Sequence, residues 1–110
     1  MGTHPHSITI QDFIQARGSA EAPGVFDVRK EPAFRESGRM MPGARWRHPF
    51  AVDGWAADAT DTGPVIVYCV HGHEVSQGVA AYLRARGIDA RFLEGGFEGY
   101  VEAGGETVAA

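Results

Sequence analysis

Four side chains able to take part in polar chemistry fall close together in the stretch CVHGHEVSQG: Cys69, His71, His73 and Glu74. Cys69 is the only cysteine in the chain. A thiolate is a nucleophile and a soft metal ligand. Imidazoles can carry charge near neutral pH, and Cys, His and Glu are also side chains from which zinc and copper sites are built. Three chemistries are therefore open at this stretch. The thiol can attack an electrophile, the loop can hold an anion, or the cluster can bind a metal.

The elements on either side narrow the choice. The apolar run VIVYC before the loop lacks polar alternation and contains β-branched and aromatic residues, which predicts a strand buried on both faces in a parallel sheet. The following SQGVAAYLRARG predicts a helix capped by Ser76, with Val79, Ala80 and Leu83 on one face and Gly87 as its stop. Cys69 thus falls at a strand's carboxyl end, where open α/β sheets bind ligands. The loop runs directly into a helix N-terminus, whose free N–H groups and dipole favour negative charge. A thiol in such a setting ionises more readily. Gly72 allows the loop to curl into a nest of N–H groups. A mid-strand cysteine would read as core filler; this position favours function.

The rest of the chain supplies a frame for that unit. SITI predicts a short strand, with Ser7 or Thr9 leading into a helix from Gln11 to Arg17 that Gly18 ends. GVFDV predicts a buried strand. EPAFRESG predicts a helix with Pro32 in its first turn and Gly38 at its end. Pro42-Gly43 predicts a turn, and Ala44 to Arg47 a further strand. A helix is expected between Pro49 and Asp58, followed by a break at TDTGP. ARFLEGG predicts a strand and turn, and FEGYVEAGG a last short helix. Strands alternating with helices imply an α/β domain with a mostly parallel sheet.

Composition excludes several classes. At 110 residues, the chain is expected to form one domain, residues 1–110. Its 44% hydrophobic and 22% charged residues are an ordinary globular balance. A single cysteine rules out an internal disulfide. The net charge is -4, and the nine arginines and one lysine, Lys30, are scattered, so neither nucleic acid nor a membrane surface is an expected partner. The start, MGTHPHSITI, lacks the features of a signal peptide, and a cytoplasmic location is expected. No second Cys/His pair completes a metal site, and His4 and His6 fall in a terminus expected to be loose. Neither metal nor cofactor is expected.

Four segments together resemble the single-domain rhodanese family of sulfurtransferases, over about Ile8 to Tyr100. VFDVRKEPAFRESG resembles its Asp-Val-Arg strand end and short helix. MMPGA resembles its His-Ile-Pro-Gly-Ala turn. VIVYCVHGHEVSQGVAAYL resembles its catalytic strand, cysteine loop and helix, and LEGGFEGY its Gly-Gly-aromatic motif with a second aromatic three residues on. The resemblance implies a three-layer α/β/α rhodanese-like domain, its core about residues 8–104. It implies a persulfide on Cys69, filled by a small sulfur donor such as thiosulfate and emptied by cyanide, a thiol or a protein acceptor. The loop residues Val70, His71, Gly72, His73, Glu74, Val75 and Ser76 would cradle the transferred sulfur. Asp27 would support the site structurally, while Arg29 would pair with acids or face the donor.

Two departures bear on function. The span from Cys69 to Ser76 is one residue longer than the usual family pattern, and Val75 stands where arginine often precedes the serine. Relatives that act as phosphatases or arsenate reductases have a similarly lengthened loop, but with an arginine for bidentate contact to the oxyanion. Met40 and Met41 replace His and Ile of the turn and are expected to pack beneath it. The leading expectation is sulfur transfer; the alternatives are an oxyanion enzyme and a sulfur carrier loaded by a partner. His71 and His73 are either solvated loop residues, charges that favour a thiolate, or metal ligands. Either Trp46, Arg47 and His48 line the site mouth, or Trp46 packs on the core and Arg47 and His48 are surface polar residues; Phe97 and Tyr100 are expected in the core.

Overall fold

The structure, a computed structural model, describes residues 5–19, 22–60 and 63–110. His4, and Asp61 and Thr62 of the TDTGP break, lie outside the described residues. Five strands form one parallel sheet in the order β1-β6-β5-β2-β4: β1 (Ser7–Ile8), β2 (Gly24–Asp27), β4 (Arg45–Trp46), β5 (Val65–Tyr68) and β6 (Ala90–Leu93). Every pairing in it is parallel. A separate antiparallel pair joins β3 (Arg39–Met40) to β7 (Val108–Ala109).

The strand period of two divides the core into two layers. Val65 and Val67 of β5, Phe26 of β2, and Ala90 and Phe92 of β6 face one side. There they meet Val52 and Trp55 of α3 (Val52–Trp55), Ala59 of the adjoining 3-10 turn (Ala56–Ala59), and Val79, Ala80 and Leu83 of α4 (Glu74–Ala85). Ile66 and Tyr68 face the opposite side, with Val25 and Leu93, against Phe13 of α1 (Ile10–Arg17) and Tyr100 of α5 (Gly96–Glu102). All four residues of β5 are buried, which is why its sequence shows no alternation. Burying each large side chain of this kind contributes about 1.5–3 kcal/mol. Helices on both faces of a parallel sheet make the three-layer arrangement expected from the sequence.

Local signals explain most boundaries. The Thr9 hydroxyl accepts the Asp12 N–H at 3.1 Å, so Thr9 caps α1. Gly38 ends α2 (Glu31–Ser37) in the left-handed conformation, with φ of 65°. The expected strand around Ala44 to Arg47 is β4. The expected helix between Pro49 and Asp58 is α3 followed by the 3-10 turn.

One boundary differs from the sequence expectation. Ser76 does not cap α4. The helix begins at Glu74 after His73, and Ser76 is a buried residue of its first turn. The reason is Gly72: its positive φ of 77° turns the chain before the first polar cap residue is reached. The two-residue strands β3 and β7 were not expected from the sequence either, and Met40 enters β3 rather than the turn beside it. Met41 is fully buried against the second core layer, as expected for a methionine beneath a turn.

Candidate functional site: a cysteine loop between two strand ends

β5 lies at the centre of the sheet, so the loop after it is flanked by the loops that follow β2 and β6. Cys69 leaves β5 and opens into a cleft of about 450 Å³ lined by Lys30, Ala33, Cys69, Val70, His71, His73, Glu74 and Val75. That size falls in the ~300–1,000 Å³ range of small-molecule sites. Cys69 is 6% exposed, so a single side of its side chain is open to the cleft. Its Sγ lies 3.1 Å from Ser76 Oγ. As a thiol it donates to that oxygen; once ionised it accepts the serine hydroxyl.

The loop's hydrogen bonds are asymmetric. The carbonyls of Cys69 and Val70 accept the N–H groups of Phe97 (2.8 Å) and Glu98 (3.0 Å) at the start of α5. The Gly72 carbonyl accepts Gln77 Nε2 at 3.2 Å, and the His73 carbonyl accepts the Gln77 N–H at 3.1 Å. Among the described residues, the backbone N–H groups from Val70 to Ser76 have no protein acceptor. Three of them belong to the first turn of α4, where helix geometry leaves N–H groups unpaired. A loop with its Cys69, Val70, Gly72 and His73 carbonyls engaged and its donors free is suited to an anion.

Glycines hold the loop in place. A Cβ on Gly72 would stand 2.5 Å from the Leu93 carbonyl oxygen, and one on Gly96 would stand 2.5 Å from the Val70 carbonyl oxygen. The Gly-Gly turn after β6 and the cysteine loop therefore interlock backbone to backbone. That contact gives a physical reason for the LEGGF stretch.

Asp27 ends β2 and Arg29 stands two residues on; together they form a buried base beneath the site. Asp27 is fully buried and Arg29 is 2% exposed. Arg29 Nη2 donates to Asp27 Oδ2 at 2.6 Å, and Nε to Oδ1 at 3.0 Å. The Tyr68 hydroxyl donates to the same Oδ2 at 2.9 Å and accepts the Met41 N–H at 3.3 Å. Burial, and after it the Asp27 carboxylate, push the Tyr68 phenol above its ordinary range, so it stays a neutral donor. Arg29 also donates to the Arg39 carbonyl at 2.7 Å. Its guanidinium lies 4.2 Å from the centroid of the Phe97 ring, the residue whose N–H holds the Cys69 carbonyl. Of the two roles open to Arg29, pairing with an acid is the one its geometry matches.

The remaining sequence candidates separate. His71 and His73 are exposed at the rim, with ring centroids 6.1 Å apart, and His71 Nε2 is 3.8 Å from Glu98 Oε2. Among the described residues, no group of three His, Cys, Asp or Glu side chains is arranged to hold a metal ion. Trp46 stacks on Phe34 and donates to the Arg29 carbonyl, and Arg47 pairs with Asp58. Neither they nor His48 are among the residues lining the cleft. Tyr100 is buried, while Phe97 is partly buried at the core edge. Lys30 and Ala33 were missed by sequence reasoning. The signal was available: they follow β2, the neighbour of β5, and so must stand beside its carboxyl end.

A family model, Rhodanese-like domain, matches residues 9–103. Among solved structures, a rhodanese-related protein from Thermoplasma volcanium is 20% identical, with a TM-score of 0.79 over 94% of this chain and 97% of that one. A thiosulfate sulfurtransferase from Pseudomonas aeruginosa is 18% identical, with a TM-score of 0.81; the match covers 97% of this chain and 20% of that one. A protein from Rhodopseudomonas palustris described as a possible tyrosine phosphatase is 21% identical, with a TM-score of 0.80 over 92% of this chain and 83% of that one. Among curated proteins, none matches the sequence. Among the described residues, no helix is long and apolar enough to cross a membrane.

Proposed function

We propose, from the premise that this chain belongs to the rhodanese-like domain family, that it moves sulfane sulfur from a donor such as thiosulfate to cyanide or a thiol through a persulfide on Cys69. The observation that carries this reading is the placement of the thiol: Cys69 opens into the cleft at the start of a loop whose N–H groups from Val70 to Ser76 have no protein acceptor among the described residues, while the Cys69, Val70, Gly72 and His73 carbonyls are engaged.

The thiolate attacks the outer sulfur of thiosulfate. A new S–S bond forms, the sulfur–sulfur bond of the donor breaks, and sulfite departs with the bonding pair. The Cys69 persulfide carries one negative charge. The N–H groups of Val70 to Ser76 and the Ser76 hydroxyl replace water around it with fixed dipoles, which do not reorganise during the reaction. Cyanide then attacks the outer sulfur, thiocyanate leaves, and the thiolate is restored. A thiol acceptor would take the sulfur in the same way. In this scheme Cys69 is the nucleophile, Val70 to Ser76 form the cradle, and Asp27 and Arg29 support it from below.

The lengthened loop and the likeness to a possible tyrosine phosphatase keep an oxyanion reaction as a second reading. That chemistry calls for an arginine to clamp the oxyanion, and Val75 occupies the usual place. Wild-type protein is expected to form thiocyanate from thiosulfate and cyanide, and Cys69→Ser to form none above background. Neither protein is expected to hydrolyse an aryl phosphate. Aryl phosphate turnover without thiocyanate formation would reverse the order of the two readings. A partner-loaded carrier would instead hold a persulfide without appreciable turnover.

A further inference from the structure

The loop from Cys69 to Ser76 contributes no lysine or arginine. The nearby arginines are engaged elsewhere. Arg29 is buried on Asp27, Arg35 pairs with Glu31, and Arg47 pairs with Asp58. Lys30 differs from them. It is exposed, it lines the same cleft as Cys69, and among the described residues its ammonium has no hydrogen-bond or ion-pair partner. The Phe50 ring centroid lies 6.0 Å from its Nζ. It precedes α2 at the cap position but makes no side-chain capping bond, so its head group has no structural task in that helix.

We propose that Lys30 is the residue that reads donor charge. It draws the anionic half of the sulfur donor to the cleft, in place of the arginine absent at Val75. This rests on the sulfur-transfer reading and adds to it the one side chain of this chain that attracts the anionic donor. Glu74, the carboxylate lining the same cleft, opposes that attraction. His71 and His73 line the same cleft, and His71 faces Glu98. A contact made equally to bound donor and to departing sulfite lowers KM and leaves kcat alone. Lys30→Met retains the aliphatic stem and removes the charge.

The test pairs two alkylating agents of similar size, anionic iodoacetate and neutral iodoacetamide, both acting on Cys69. The ratio of their rates reports cleft charge and does not depend on sulfur transfer. In Lys30→Met the iodoacetate-to-iodoacetamide ratio should fall roughly fivefold at low salt, as expected for one charge removed beside a solvent-accessible site. The KM for thiosulfate should rise by a similar factor with kcat unchanged, Lys30→Arg should restore both, and Glu74→Gln should move the ratio in the opposite direction. An alkylation ratio unchanged in Lys30→Met would overturn the proposal. A lowered ratio in a protein that forms no persulfide would leave the role of Lys30 in place and remove the sulfur-transfer reading instead.

Discussion

Asp27→Ala is expected to lose about 3–5 kcal/mol of stability, because it leaves the Arg29 guanidinium buried without its carboxylate. Both side chains are essentially inaccessible to solvent, so water cannot replace the lost partner. The same carboxylate accepts the Tyr68 hydroxyl, and its removal leaves that donor unmatched as well. For a fold whose total stability is on the order of 5–15 kcal/mol, this is a large fraction. Thermal unfolding should move down by more than about 10 °C. The double variant Asp27→Ala/Arg29→Met should recover part of the loss, because an apolar side chain carries no buried charge. A urea midpoint for Asp27→Ala within error of wild type would show that the pair has no structural weight. The effect should also reach the site. Arg29 packs on Phe97, and the Phe97 N–H holds the Cys69 carbonyl.

The second large effect is expected at Gly96. Its φ is 62°, a conformation costly for any residue with a Cβ. The added carbon of Gly96→Ala would also stand 2.5 Å from the Val70 oxygen and 2.6 Å from the Cys69 oxygen. Both obstacles are backbone, so no side-chain rotation relieves them. Strain and overpacking together should cost about 2–4 kcal/mol. The loop is expected to shift in what remains folded, and a displacement near 1 Å can lower turnover about a hundredfold. Gly78→Ala is the control, since a Cβ there meets nothing within 4 Å. Chemical denaturation and thiocyanate formation on both variants check the prediction. Equal values for Gly96→Ala and wild type would contradict the interlocked-loop account.

Much of this site was legible because its signals are local. VIVYC shows an uninterrupted apolar run, and β5 is the central strand. The thiol at its end, the glycine two residues before the helix, and the following apolar helix face all occupy neighbouring positions in the chain. Asp27 and Arg29 were visible as polar residues ending an apolar strand, although their pairing with Tyr68 was not, since that contact joins two strands far apart in sequence. Ser76 misled the reading for a physical reason. A serine ahead of an apolar helical face looks like a cap, but the positive φ of Gly72 started the helix sooner, and the hydroxyl faces Cys69 instead. The pairing of β3 with β7 was hidden because two-residue strands carry no period. Lys30 was overlooked because its approach to Cys69 depends on strand order, which the local pattern does not contain.

The most direct measurement is the intact mass of the protein before and after thiosulfate, and again after cyanide, with Cys69→Ser alongside. The account predicts a gain of roughly 32 Da, one sulfur on a reactive thiolate, in the wild type alone, and its removal by cyanide. A wild-type mass unchanged by thiosulfate, or an equal gain in Cys69→Ser, would contradict it.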